Sequence, residues 1–274
     1  MSNIRIGVRA HDMGQMDIES LKNAMDAYGF DGIQLVLKKA LDETLETVDR
    51  ERLKSAFDGK VMLLGAYFNM IHPDTNEVLK GVENFKKHLE LARELNISYV
   101  GTETGSLMGS PWGYDPLNHS DESFEKVVLV TEELIQKAKD ENVFVAIEGA
   151  WNHTIYSPKR LKELTDRIQS PNLKVIVDLY NFLNIDNHQN HLEILRESID
   201  LLKNKIVIFH LKDYIVESQK LKQVGLGKGL MQYKKIIPMI LKEFTHVDLI
   251  FEGVEQQDLK SSLEFIKSII EGEK

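Results

Sequence analysis

The chain of 274 residues contains no cysteine, which excludes a disulfide framework, a thiolate metal site and a thiol nucleophile. It also has no uninterrupted apolar stretch near the roughly 18 residues needed to span a bilayer. The first ten residues, MSNIRIGVRA, lack the apolar core of a signal sequence. These absences predict a cytoplasmic protein that does not contact a membrane.

A broad basic surface is missing as well. The chain carries 34 basic and 43 acidic residues, giving a formal net charge of −9, and it has no long basic run. Proteins that bind nucleic acid backbones do so mainly through positive charge. The charge balance therefore argues against a nucleic acid partner, although a local basic patch stays open as an alternative.

Strand-like apolar runs alternate with helix-like segments from end to end, and eight of each can be counted. This alternation favours parallel strand pairing, and eight units allow closure. One such barrel has roughly 250 residues. We therefore predict an α/β fold, a single (β/α)8 TIM barrel forming one domain over 1–274. An open doubly wound sheet is the alternative, but no GxGxxG follows the first strand.

Four of the apolar runs end on a residue that can bind a metal. VFVAI leads to Glu148, KVIV to Asp178, KIVIF to His210 and DLIF to Glu252. Alone, an acidic strand end is usually a cap or a solvated turn. In a closed parallel barrel, however, the carboxyl ends of all strands meet at one mouth. Together these oxygen and nitrogen ligands predict a site for one divalent ion: Mn²⁺, Co²⁺, Mg²⁺ or Zn²⁺.

Such a site suits proton transfer next to a carbonyl group. A divalent ion polarises the carbonyl and stabilises the negative charge that appears when the neighbouring carbon loses a proton. Glu148 and Glu252 lie on strands separated by two others, so they can flank a small substrate as catalytic acid and base. Epimerisation, isomerisation and dehydration all remain open with this ligand set.

The strand-end series resembles the sugar phosphate isomerase/epimerase superfamily, the xylose isomerase-like TIM barrels. The segments that carry the resemblance are NMIHPD, GTETG, IEGAWNHT, VIVDLYN, FHLKD, GLGKG and IFEGV. The resemblance implies a mononuclear metal held by Glu148, Asp178, His210 and Glu252. It also implies that the two glutamates act as acid and base.

Two features depart from many members of that superfamily. Asn181 stands in DLYN where many members have a histidine, and asparagine can bind a sugar hydroxyl but cannot shuttle a proton. There is also no arginine between His210 and Glu252, where sugar epimerases of the family often have one. Lysines such as Lys212 could bind the substrate instead, or the substrate differs from a free ketohexose.

Further substrate-binding candidates surround the predicted mouth. Glu103 ends the fourth strand, His72 follows the third, and His153 follows Glu148; a helix cap or a solvated loop is the alternative for each. Trp112 lies in the long loop 105–120, which is either a lid or an ordinary loop with a buried aromatic anchor.

Two residues after His210 have a predicted role around the metal. We expect Lys212 to bind substrate, and Asp213 to lie in the second shell, fixing the imidazole or binding an anionic substituent, with a turn as the alternative. The glycines and lysine of GLGKG (225–229) could bind an anion at a helix N-terminus.

The sequence therefore predicts a metal-dependent isomerase or epimerase acting on a small sugar, keto sugar, polyol or sugar phosphate. Three alternatives stay open: an inosose dehydratase-type lyase, an endonuclease IV-like enzyme and a noncatalytic sugar-binding barrel. The endonuclease would need more metal ligands, and the acidic net charge opposes it. The sequence also leaves open whether the protein is a homo-oligomer.

Overall fold

The computed structural model describes residues 3–109 and 112–273. Its barrel strands are β1 (Asn3–Arg9), β2 (Gly32–Leu35), β3 (Val61–Gly65), β4 (Tyr99–Glu103), β5 (Phe144–Glu148), β6 (Leu173–Asp178), β7 (Ile206–Leu211) and β10 (His246–Phe251). The helices are α1 (Ile18–Tyr28), α2 (Leu37–Ala40), α3 (Arg50–Phe57), α4 (Thr75–Glu94), α5 (Asp121–Glu141), α6 (Pro158–Ile168), α7 (His191–Leu202), α8 (Tyr233–Glu243) and α9 (Leu259–Gly272). Strands β8 (Asp213–Glu217) and β9 (Lys220–Val224) lie outside the barrel.

The eight barrel strands are parallel and closed, in the order β1-β10-β7-β6-β5-β4-β3-β2. Closure follows from β1, which pairs with β2 through Gly7 and Gly32 and with β10 through Val8 and Phe251. The predicted single (β/α)8 TIM barrel is confirmed.

Local signals in the sequence set the helix boundaries. The side chain of Asp17 accepts hydrogen bonds from the backbone N–H groups of Glu19 and Ser20 and so caps the start of α1. The helix ends at Gly29, whose φ of 86° is the left-handed conformation that glycine adopts without steric cost.

The barrel interior contains an apolar layer directly below the strand ends. It includes Ala146, Ile176, Ile208 and Ile250. Successive side chains on a strand alternate between its two faces, so a residue two positions later also points inward. Ala146, Ile176, Ile208 and Ile250 therefore fix the inward direction of Glu148, Asp178, His210 and Glu252.

Gly101 on β4 gives the same direction to Glu103. A Cβ at Gly101 would lie 2.8 Å from Leu63 Cδ1 and 3.1 Å from Ile176 Cδ1. Position 101 therefore faces the crowded interior, and Glu103, two residues later, points into the mouth.

Strands β8 and β9 form an antiparallel hairpin after β7. Its two-residue turn consists of Ser218 and Gln219, which have φ values of 50° and 60°. Positive φ at both central residues is the pattern of a type I′ turn. This hairpin and the short helix α2 were not predicted from the sequence.

Among the described residues, none of the helices combines the length and the apolar character required to traverse a bilayer.

Candidate metal centre

Glu148, Asp178, His210 and Glu252 meet at the C-terminal mouth of the barrel. Each offers one ligand atom, and the four atoms all lie within 4.8 Å of one another. His210 Nδ1 is the central atom, 3.2 Å from Glu148 Oε1 and 2.9 Å from Glu252 Oε2. The four residues that the sequence singled out are therefore brought together as one group that could hold a metal ion, and we call this group the ligand cluster.

Two carboxylate oxygens in this group are left without a hydrogen bond. Asp178 Oδ2 and Glu252 Oε2 are buried and accept no hydrogen bond, although Lys212 Nζ and His210 Nδ1, respectively, lie within ion-pair distance of them. These ion pairs lack hydrogen-bond geometry, and a buried carboxylate oxygen without a hydrogen bond is costly. The donor set, the close spacing and the two oxygens without hydrogen bonds fit a divalent cation.

Cations surround one carboxylate, that of Glu252. Its Oε1 accepts a hydrogen bond from Arg9 Nη1 at 2.8 Å and lies 3.2 Å from Lys212 Nζ. Burial alone would raise the pKa of Glu252, but Lys212, His210 and Arg9 hold it well below its usual value. Glu252 is therefore fixed as a carboxylate.

Arg9 is a member of the site that sequence reasoning missed. Its Nε and Nη2 donate to Asp12 Oδ1, and Asp12 Oδ2 accepts from the backbone N–H of Gly253 at 2.7 Å. Arg9 and Asp12 thus hold both the side chain of Glu252 and the backbone that follows it. The available signal was that β1 also ends on a charged residue, as the ligand-bearing strands do.

Glu148 has a different environment. Its Oε1 accepts a hydrogen bond from Asn181 Nδ2 at 2.7 Å. Burial raises its pKa, and the nearby His210 offsets only part of that effect. On the neighbouring strand, burial and the charge of Glu148 raise the pKa of Glu103 to about 8. Asn181 Nδ2 also lies 3.4 Å from Glu103 Oε1, so one amide connects the two glutamates.

The charges of His210 and Lys212 follow from these carboxylates. Burial alone would lower the pKa of His210, but Glu148 and Glu252 raise it to about 10. Burial opposes the charge of Lys212 too, yet Asp178 and Glu252 keep its pKa above the ordinary value. Lys212 also donates a hydrogen bond to Asn181 Oδ1 at 3.1 Å. The lysine is thus paired inside the ligand cluster.

A phenol and an amide on the β2–β3 side of the mouth were also missed by sequence reasoning. Gln34 Nε2 donates to Tyr67 Oη at 2.8 Å, while the buried Gln34 Oε1 has no partner. Burial and the charge of Glu252 raise the pKa of Tyr67 well above its usual value. The phenol therefore keeps its proton and can donate a hydrogen bond.

A cavity of about 590 Å³ opens beside the ligand cluster. Of the predicted substrate-binding residues, Glu103, Trp112, His153 and Asn181 line it. His153 is 3 % exposed, and burial lowers its pKa to about 4, so it is neutral at pH 7. Its ring packs edge-on against that of Trp112, with ring centroids 5.7 Å apart.

His72 lies elsewhere. Its Nδ1 accepts a hydrogen bond from the backbone N–H of Asp74 at 3.0 Å, next to the start of α4. It lines a separate cavity of about 310 Å³, which shares Trp112 with the larger one. The structure therefore does not bring His72 to the ligand cluster.

Asp213 and the GLGKG segment contact each other. Asp213 Oδ2 accepts from the N–H groups of Gly227 and Gly229, and Oδ1 from those of Tyr214 and Met231. The predicted contact with the imidazole of His210 is not among the hydrogen bonds of the described residues. The anion that the glycine turn binds is the carboxylate of Asp213 itself, which agrees with the turn alternative for Asp213.

The loop 105–120 is firmly attached where the structure describes it. Asn118 is fully buried, donates to Asn152 O at 2.8 Å and accepts from Leu107 N at 2.9 Å. His119 Nε2 lies 2.8 Å from Trp151 O. These contacts favour an anchored loop that forms one wall of the cavity.

Solved structures similar to this chain share the fold at low identity. A D-tagatose 3-epimerase-like protein matches with a TM-score of 0.78 and 17 % identity over 98 % of each chain. The 3-keto-D-glucoside 4-epimerase from E. coli matches with a TM-score of 0.74 and 15 % identity, over 97 % of this chain and 100 % of that one. The IOLI protein with a bound zinc atom matches with a TM-score of 0.73 and 18 % identity, over 97 % of this chain and 96 % of that one.

No curated protein matches the chain in sequence. A family model does, and its description is xylose isomerase-like TIM barrel. The match extends over residues 12–269 and includes all four members of the ligand cluster. The chain therefore belongs to the xylose isomerase-like TIM barrel family.

Proposed function

We propose that the protein is a divalent-metal-dependent isomerase or epimerase of a keto sugar. The observation that carries the proposal is the position of two glutamates, one aspartate and one histidine around a common point, with their ligand atoms within 4.8 Å of one another. This point lies at the mouth of the barrel, where enzymes of this fold have their active sites. The adjoining cavity gives a substrate access to it.

Glu148, Asp178, His210 and Glu252 would hold the ion, which would displace the proton that the carboxylates favour on His210, because imidazole binds a metal only in its neutral form. When bound, it supplies positive charge that polarises a carbonyl group. Mn²⁺, Co²⁺, Mg²⁺ and Zn²⁺ all accept this ligand set. The similar IOLI protein binds zinc, which supports a metal here without deciding its identity.

The two glutamates would move the proton. Glu252 is suited to take it from the carbon next to the carbonyl, because neighbouring cations keep it ionised. Glu148 is suited to give a proton to the other face of that carbon, because burial raises its pKa and favours its protonated form. Asn181 orients Glu148, whereas Arg9 and Lys212 orient Glu252. Proton exchange with water then returns Glu252 to the carboxylate and Glu148 to the acid.

The geometry leaves the product open. Return of the proton from the other face inverts the carbon, and return to the neighbouring carbon interconverts aldose and ketose. Loss of a β-hydroxyl group would make the enzyme a dehydratase-type lyase. The similar structures include epimerases, so we place epimerisation first.

Solvent deuterium exchange tests the proposal. The protein, loaded with each of the four ions in turn, is incubated in D₂O with a panel of keto sugars. NMR then reports deuterium at the carbon next to the carbonyl. We expect exchange that requires the ion and stops in the Glu252→Gln variant. Equal exchange after chelation, or none with any sugar and ion, would contradict the proposal.

A further inference from the structure

The cavity beside the ligand cluster is larger than one sugar ring requires. At roughly 30 Å³ per water molecule in the liquid, its volume of about 590 Å³ corresponds to about twenty waters. A single hexose has twelve non-hydrogen atoms and would displace roughly half of these waters or fewer. Space therefore remains for a second group of similar size.

The walls of the cavity suit a sugar ring. Trp112 and Trp151 line it, as do Gln219, Lys220 and Leu221 of the β8–β9 hairpin. Tyr114 stacks on Trp151 with ring centroids 5.4 Å apart, which holds that indole in place. Flat aromatic faces bind the C–H groups of a sugar ring by apolar contact.

The cavity adjoins the ligand cluster. Glu103 and Asn181 line it, and Asn181 donates a hydrogen bond to Glu148 at 2.7 Å. A substituent on a sugar held at the cluster would thus extend past Asn181 toward the tryptophans and the hairpin.

The charges around the cavity oppose a phosphate group. Among the described residues that line it, the only cationic side chain is that of Lys220, whereas Glu103 and Asp186 are acidic. Lys212 is paired with Asp178 and Glu252. The other phosphate-like site, the turn at 225–229, already binds the Asp213 carboxylate.

We propose that the substrate is an uncharged keto sugar linked to a second uncharged, sugar-sized group, and that this group binds between Trp112, Trp151 and the β8–β9 hairpin. The inference rests on the proposed function for the reacting sugar only. The binding of the second group depends on the cavity and can be measured without turnover.

Tryptophan fluorescence reports this binding directly, because the chain has two tryptophans and both line the cavity. The ion-loaded protein is titrated with methyl glucoside, with glucose 6-phosphate, and with maltose, cellobiose and trehalose. Methyl glucoside and trehalose have no free carbonyl group, so for these two ligands binding is separated from catalysis. We expect at least one disaccharide to bind about tenfold more tightly than methyl glucoside, and glucose 6-phosphate to bind no better than methyl glucoside.

Variants identify the place of binding. Trp151→Ala should weaken the disaccharide about tenfold while leaving methyl glucoside nearly unchanged, and Trp151→Phe should retain most of the affinity. Lys220→Gln, which removes the charge but keeps most of the side chain, should change binding no more than Lys222→Gln, because Lys222 pairs with Glu217 on the same hairpin and does not line the cavity.

Three results would overturn the inference: tightest binding of glucose 6-phosphate, a large loss for Lys220→Gln alone, or no disaccharide binding better than methyl glucoside. Absence of deuterium exchange with tight disaccharide binding would instead refute the proposed function and leave the sugar site in place.

Discussion

Arg9 Nη1 lies 2.8 Å from Glu252 Oε1, so the first strand of the barrel holds a candidate metal ligand of the last. The same two strands carry a second arginine–carboxylate pair at their other end, where Arg5 Nη2 lies 2.6 Å from Asp248 Oδ2. One pair is in the mouth and the other at the base of the barrel. Comparing them separates a contribution to the site from a contribution to stability.

We predict that Arg9→Met lowers the rate of deuterium exchange by about 10- to 100-fold, because Glu252 loses the group that orients it. Arg5→Met removes a pair of the same kind far from the cluster and should leave the exchange rate within about twofold. Both variants should lose roughly 1–3 kcal/mol of unfolding free energy, since each leaves a partly buried carboxylate short of a partner. Exchange rates and urea unfolding curves provide the measurements.

Equal activity losses in the two variants would show that Arg9 acts through stability alone. Arg9→Lys distinguishes charge from geometry, because lysine keeps the charge but cannot bind Glu252 and Asp12 together as the guanidinium does. We expect it to recover only part of the activity.

The two glutamates should respond differently to neutralisation. Glu148→Gln and Glu252→Gln should each reduce exchange by about 10²- to 10⁴-fold, the usual contribution of a positioned acid or base. Their stabilities should diverge: burial disfavours the charge of Glu148, so glutamine there should keep or raise the melting temperature. Arg9, His210 and Lys212 favour the charge of Glu252, so its variant should melt lower.

Calorimetry and exchange measured on the same samples test this divergence. If both glutamine variants exchanged deuterium at near-normal rates, the acid and base roles would be wrong even with the metal site intact.

Ion binding should stabilise the fold. At 100 times its dissociation constant, a divalent ion that binds only the folded chain adds about 2.7 kcal/mol, and chelation should reverse the increase in melting temperature. His210→Ala should abolish most of this increase by removing the nitrogen ligand. His246→Ala, at the exposed start of the same barrel's last strand, should keep it. An increase that survives in His210→Ala would point to another ion site.

The sequence predicted the barrel and the ligand cluster because both depend on local patterns. Continuous apolar runs give buried parallel strands, and a residue that ends such a run emerges at the mouth. Strand alternation then fixes its direction: Ile176 and Ile208 point into the barrel, so Asp178 and His210 do as well. No long-range information was needed to place these residues.

Other features required information that the local pattern lacks. The contact of Arg9 with Glu252 joins residues 243 positions apart, and no spacing rule identifies it. The β8–β9 hairpin turns at Ser218 and Gln219, which lack the Asn-Gly signal of such turns. The glycines at 225–229 did indicate an anion site, but the anion, Asp213, belongs to the chain itself.

Asp213 should therefore matter for stability more than for chemistry. Its two oxygens accept four backbone N–H groups, and Asp213→Asn would turn an amide N–H₂ group toward two of them. We predict a loss of about 2–4 kcal/mol in urea unfolding. Asp258→Asn is the control, because Asp258 binds the exposed Lys228 and should cost less than about 1 kcal/mol. Equal losses would mean that the turn does not depend on the Asp213 carboxylate, and tighter phosphate binding in Asp213→Asn would mean that this carboxylate keeps external anions out.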